Sequence, residues 1–185
     1  LGHPLQSSKA LKLRHLERKL FRAWCIWLCN PARFVGQEDR RKEQFKEIAK
    51  EMAYALQSDN GTWFDPVIND SGDLLPGSSD VVFIPYLERM NASFSYYKGF
   101  ELRKEFSSID NWFKALELLD DYRGTQGDFH THAHDLPPQM GGCWSDNNEN
   151  QKLLSHQIDM GYGLGEKETT YQSSKANRPS RIALK

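Results

Sequence analysis

The stretch that decides the fold runs from Gly61 to Arg123. Gly61-Thr-Trp-Phe64 opens it, and DVVFIPYLERM (80–90), YYKGFELR (96–103) and IDNWFKALELLDDYRGT (109–125) follow an acidic loop. From Asp80 to Tyr97 nearly every turn is apolar or aromatic on all sides (Val81, Val82, Phe83, Ile84, Tyr86, Leu87, Met90, Phe94), the pattern of a central buried helix. Pro85 removes the bond from its own nitrogen to the Val81 carbonyl and predicts a kink or a very short first segment. Ile109, Trp112, Phe113, Leu116 and Leu119 predict a further helix, started by the box Ser107-Ser108-Ile109-Asp110 and ended near Gly124. Ser58 to Ser79, rich in Asp, Asn, Gly, Ser and Pro, reads as a connecting loop pinned by Trp63 and Phe64.

Upstream, Leu13, Leu16, Leu20, Trp24 and Trp27 recur at three- and four-residue steps and predict an amphipathic helix over 13–29, stopped by Asn30-Pro31. Phe45, Ile48, Ala49, Met52, Ala53 and Leu56 predict a second one over about 38–57, antiparallel to the first. No segment reads as a strand. Beyond residue 124 the chain changes character: HTHAHDLPPQMGGC reads as turn-rich, 151–158 as a short helix, and the polar residues from Gly161 as a mobile tail. The expected organisation is an all-α bundle: an N-terminal arm (1–12), a helical domain (13–124), a His/Pro/Gly-rich extension packing on it (125–160) and the tail (161–185).

At 185 residues the chain can bury roughly 70% of its unfolded surface in one core. Its 38% hydrophobic content, with five Trp and ten Phe, fits a soluble aromatic-rich globule. No apolar run reaches the ~18 residues of a membrane span. Leu1-Gly2-His3-Pro4 carries no leader pattern, so the N-terminus is silent on localisation. Three Cys are too few for a disulfide framework and point to a reducing compartment. The sequons at Asn60, Asn69 and Asn91 are short enough to arise by chance, and Asn91 lies in the buried helical segment. The net charge of -1 conceals an asymmetry: residues 1–50 hold 12 Lys+Arg against 5 Asp+Glu, and residues 51–150 hold 6 against 17.

The helix order, the loop-to-helix junction before DVVF and the WFKALE helix resemble the C-terminal domain of the glutathione transferases over about residues 13–124. In that family the buried helix opens with a Ser/Thr-x-x-Asp box. Asp80 matches its Asp, while Gly77 stands where the hydroxyl residue belongs, which implies a start weaker by some tenths of a kcal/mol. YYKGFELR, YRGTQGDFHTHAHDLPPQMGGC and the segment ending Ile158-Asp159 are similar to a subgroup of transferase-like proteins from cyanobacteria, algae and plant plastids. Such proteins carry an N-terminal thioredoxin-like domain that holds glutathione. The 12 residues before Leu13 are too few to build one, so the resemblance implies kinship rather than activity.

Among candidate chemical groups, His130, His132 and His134 alternate, so an extended segment would project all three imidazoles to one side, with Cys143 as a fourth zinc or copper ligand. The alternative has these histidines bonding backbone carbonyls of a segment packed across the helices. Cys25 and Cys29 lie one turn apart among Trp24, Ile26, Trp27 and Leu28 and read as core, leaving Cys143 as the reachable thiol. Gly161-Tyr-Gly163-Leu-Gly165 follows no strand and opens no helix, so it is not a nucleotide loop. Lys9, Lys12, Arg14, Arg18 and Lys19 form a basic docking patch. A basic region can meet nucleic acid, an anionic membrane surface or an acidic protein, and the alternation of these charges with a core stripe makes most of them a solvated helix face; a protein partner and no nucleic acid is the expectation. Trp24, Trp27, Tyr86, Tyr96, Tyr97 and Trp112 could line a ligand cleft or fill the core.

No catalytic residue and no cofactor is implied. A transferase helical domain without its sister exposes the face that the sister would cover, and an apolar patch of several hundred Å² calls for a protein partner. The expectation is a non-catalytic interaction subunit in the chloroplast stroma or at the stromal thylakoid surface, otherwise cytoplasmic, reaching a membrane only through a complex. The alternative is the electrophile-site half of a two-domain transferase.

Overall fold

A computed structural model describes residues 7–58 and 61–161. The Asn60 sequon, the Gly163–Gly165 run and the tail beyond Gly161 lie outside them. The fold is an all-α bundle interrupted by one minimal hairpin: α1 (Ser8–Leu28), α2 (Gln37–Ser58), β1 (Val67–Ile68), β2 (Leu74–Leu75), α3 (Ser78–Ser93), a π-helical turn (Phe94–Lys98), α4 (Leu102–Glu105), α5 (Ser107–Leu116), α6 (Asp120–Thr125), α7 (Phe129–Met140) and α8 (Glu149–Asp159).

Helix α1 starts inside the stretch expected as an arm, because the Ser7 hydroxyl accepts the Ala10 amide at 3.1 Å and caps it. Leu13, Leu20, Trp24 and Trp27 face the core as the periodicity predicts. The fifth member of that stripe is Glu17 rather than Leu16: Glu17 is 1% exposed, its carboxylate held by the Arg18 guanidinium beside it. The Asn30 side-chain amide closes α1 by donating to the Ile26 carbonyl at 3.2 Å. Helix α2 lays Phe45, Ala49, Met52 and Leu56 against α1, all fully buried.

The connecting loop contains structure that its composition hides. Val67 pairs with Leu75 and Ile68 with Leu74 in an antiparallel register. The turn between them is closed by the Asn69 side-chain oxygen, which accepts from the Ser71 and Asp73 amides at 3.0 and 2.8 Å. Two residues per strand give no alternation long enough to read. Trp63 and Phe64 do pin the loop: Phe64 stacks on Phe83 at 4.2 Å, and the Trp63 indole donates to the Leu74 carbonyl.

Helix α3 runs through the centre and continues past Pro85; Val81, whose carbonyl lacks the Pro85 donor, sits on the exposed side where water can take the bond. It gives way after Ser93 to the π-helical turn, which ends on Gly99 in the left-handed region (φ 62°). Around this turn Trp27, Phe45, Phe94 and Phe100 meet with ring centroids 4.4–6.2 Å apart. Helix α5 buries Ile109, Trp112, Phe113 and Leu116. It stops at Leu116, well before Gly124, because the chain extends at Leu119 and restarts as α6. The expected Ser107–Asp110 box is not formed. Extended Phe106 occupies the cap position, Ser107 is already helical, and Asp110 instead pairs with Arg103 at 2.7 Å and Lys114 at 2.7 Å.

The segment expected to be turn-rich is helix α7, capped by Asp128, whose carboxylate accepts from the Thr131 amide at 2.8 Å. Pro137 and Pro138 sit in its last turns, and Gly141 ends it with positive φ. Helix α8, capped by Asn148, packs along the π-helical turn, where the Gln151 side chain donates to the Tyr96 carbonyl at 2.7 Å.

Candidate functional site

Four places gather chemically capable side chains. The first is the start of α3. Asp80 is fully buried, and its carboxylate accepts four donors: the Phe64, Asp65 and Gly77 amides at 2.9, 3.0 and 3.1 Å and the Trp112 indole at 2.8 Å. Burial pushes the carboxyl above its ordinary range against the pull of those donors. Only half of a capping box exists, since Gly77 has no side chain to return the bond. A Cβ on Gly77 would fall 1.8 Å from the Asp65 carbonyl oxygen. The glycine at this position is therefore set by backbone approach and not by capping strength.

The second place is a buried ionic cluster that the sequence pattern did not reveal. The Lys98 ammonium, 1% exposed, contacts Glu38 of α2 and lies 2.8 Å from Asp146. The Trp27 indole donates to Glu38 at 2.7 Å. Two carboxylates share one cation, so burial and then the Glu38 charge outweigh Lys98 and push Asp146 up to about 6. Close by, the Cys29 and Cys143 thiols lie near enough to influence one another, which holds the Cys29 thiol below its ordinary value while Cys143, also half-buried, is pushed up. Cys25, half-buried beside them, is pushed up to about 11 by burial. All three cysteines are half-buried, so Cys143 is no more reachable than the two that the sequence placed in the core.

The third place is α7. Its helical form changes the histidine geometry: His130 and His134, four residues apart, share one face with ring centroids 4.3 Å apart, and His132 points elsewhere. His132 faces the interior, its Nε2 3.5 Å from a Glu88 carboxylate oxygen, with the Tyr122 hydroxyl donating to the other oxygen at 2.8 Å. Neither His132 nor Cys143 joins the other two histidines. Asp159, at the end of α8, does: its Oδ1 lies 2.9 Å from His134 Nε2 and 3.9 Å from His130 Nε2. The Tyr96 hydroxyl donates to Oδ2 of the same carboxylate at 3.1 Å. Burial is the first cause that pushes the Tyr96 phenol up to about 12, reinforced by Asp159. The join between α7 and residue 159 spans 25 positions, and no local spacing signals it.

The fourth place is the basic half of α1. An open groove between α1 and α2, about 740 Å³, is lined by Ser8, Leu11, Lys12, His15, Leu16, Lys19 and Glu51. On the other flank of α1 a smaller cavity of about 150 Å³ is walled by Ala10, Leu13, Arg14, Ser79, Val82 and Phe83. The five expected patch residues do not act alike. Lys12 and Arg14 are exposed, Lys9 is half-buried, and Lys19 pairs with Glu51 at 2.7 Å. Arg18 is held by Glu17 and lies over the Phe21 and Tyr86 rings at 4.8 and 4.9 Å, so its role is packing. Of the aromatic residues expected either to line a cleft or to fill the core, Trp24, Trp27, Tyr97 and Trp112 are buried in the core.

Compared with family models, curated proteins and solved structures, the chain matches none. Among the described residues, no helix is long and apolar enough to cross a membrane.

Proposed function

We propose that this chain is a non-catalytic interaction module whose partner is another protein, docked along the N-terminal half of α1. The observation that carries this reading is the open groove, in which Leu11, 57% exposed, and Leu16 lie between Lys12, His15 and Lys19. With Lys19 already paired to Glu51, Lys12 and His15 beside the two leucines suit a segment that is apolar in its centre and acidic at the edge facing them. The inward-facing ionisable groups give the complementary argument: buried Asp80 and Lys98 and half-buried Arg103 and Glu88 are all engaged in bonds that tie one element to another. The resemblance of the 96–103 and 122–143 motifs to plastid transferase-like proteins supports an auxiliary subunit of a chloroplast assembly, at the stromal thylakoid surface. The smaller cavity between α1 and α3 favours the competing reading, the electrophile-binding half of a two-domain glutathione transferase.

Size-exclusion of the native protein at low salt separates the two. The interaction reading expects co-migration with an assembly well above 21.4 kDa. It also expects release of the chain above about 0.5 M salt, where charges more than a few Å apart are screened. Lys12→Glu combined with Leu11→Asp should weaken the association at least tenfold while leaving the far-UV spectrum unchanged. Arg18 is unsuitable for such a reversal, since its loss would strand buried Glu17. A free monomer that retains glutathione, or turnover of a chlorodinitrobenzene-type substrate, would establish the transferase reading instead.

A further inference from the structure

We propose that His130, His134 and Asp159 form a binding site for a divalent transition metal of the zinc class, closed across α7 and α8. Three ligand atoms, one from each residue, lie within 4.8 Å of one another. Two ligands of one tetrahedral ion stand roughly 3.4 Å apart. The 2.9 Å between His134 Nε2 and Asp159 Oδ1 and the 3.9 Å between His130 Nε2 and the same oxygen bracket that value. Small side-chain rotations would bring the set onto a single ion.

The donor set is two imidazoles and one carboxylate, which suits borderline ions such as Zn²⁺, Ni²⁺ or Cu²⁺ over Mg²⁺ or Ca²⁺. A four-residue step on a regular helix presents both histidines to one ion without bending the backbone. The surroundings already hold the ligands in place. Tyr96 donates to the second oxygen of Asp159 at 3.1 Å, fixing the carboxylate, and its ring packs edge-on to His134 with centroids 4.9 Å apart. His134 is exposed and the other two are half-buried, so solvent has access and water completes the coordination. An ion here would join the end of α8 to α7, where the link now runs through Asp159.

The test is a zinc titration of residues 1–185 by calorimetry, with copper broadening of amide resonances as a second readout. The expected result is one Zn²⁺ per chain, with broadening centred on 130–134 and 159. Binding should weaken at least tenfold in His130→Ala, His134→Ala and Asp159→Asn, and about tenfold or more in Tyr96→Phe, through loss of the outer support. His156→Ala, an exposed histidine outside the three-ligand set, serves as control and should bind as the unaltered chain does. His134 is exposed, so its replacement leaves the fold intact and keeps the test interpretable. Absence of uptake at about 100 μM zinc, or undiminished uptake by a His134→Ala/Asp159→Asn chain, would overturn the proposal.

Discussion

Gly77 and Asp80 show how a single position can invert an expectation. By capping strength alone, a serine at 77 would improve the start of α3. The Asp65 carbonyl, 1.8 Å from where its Cβ would sit, reverses that sign. The backbone there is extended (φ −94°, ψ −171°), a conformation open to any residue, so the penalty is steric rather than conformational. Gly77→Ser should therefore destabilise the protein by about 2–3 kcal/mol, as overpacking of a tight contact does. Urea unfolding of the two proteins measures it, and an unchanged or raised midpoint would show that the Asp65 loop yields. Asp80 was singled out through the resemblance, as the acidic member of a Ser/Thr-x-x-Asp box at the start of a buried helix. Its bonds to Phe64, Asp65 and Trp112 were not, since they reach 16, 15 and 32 positions away.

Among the elements, the joint between α4 and α5 replaces the expected capping box with an ion-pair network. Arg103 spans Asp110 and Glu117, and Lys114 meets Asp110 one turn on. Partial burial pushes Asp110 up, but its bonds to Lys114 and Arg103 prevail and leave its carboxyl below the ordinary value. A depressed carboxyl contributes stability that is present above the unfolded pKa, near 3.9, and is lost as pH falls through the folded value. Asp110→Asn should cost about 1–2 kcal/mol at pH 7. The gap between the two proteins should close as unfolding is followed from pH 5 downward; a constant gap would mean that the ionised form is not what matters. Helix α7 makes the same lesson geometric. An alternating His-x-His-x-His pattern means one face in a strand, whereas in a helix it separates the middle residue from the outer two.

For the whole molecule, the Glu38–Lys98–Asp146 cluster ties α2, the π-helical turn and the loop before α8 into one body. Its titration runs opposite to that of Asp110. The Asp146 carboxyl, pushed up to about 6, keeps its proton in the folded chain at pH values where the unfolded chain, near 3.9, has lost it. Its contribution is therefore complete at low pH and declines as pH rises from about 4 to about 6. Asp146→Asn keeps an acceptor for Lys98 and removes the surplus charge. The variant should gain on the unaltered protein across that window and match or exceed its stability at pH 7, measured by urea unfolding at pH 4.5 and 7. If the unaltered protein gains on the variant instead, Lys98 favours the charged carboxylate and the sign is wrong.

What the chain determined by itself was the helical class, the core faces of α1, α2 and α5, and the burial of Phe83, Leu87, Met90 and Phe94 along the central segment. Each is written in residues within a turn or two of one another, where 3.6-residue periodicity converts spacing directly into a face. What only tertiary structure decided was the partnership of groups far apart: Lys98 with Glu38 and Asp146, Cys29 with Cys143, and Asp159 with His130 and His134. A buried charge or a ligand set is defined by distances of 3–4 Å between side chains on different elements. Those distances exist only once the bundle has packed, because helical spacing orders neighbours along one element and says nothing about which element lies opposite.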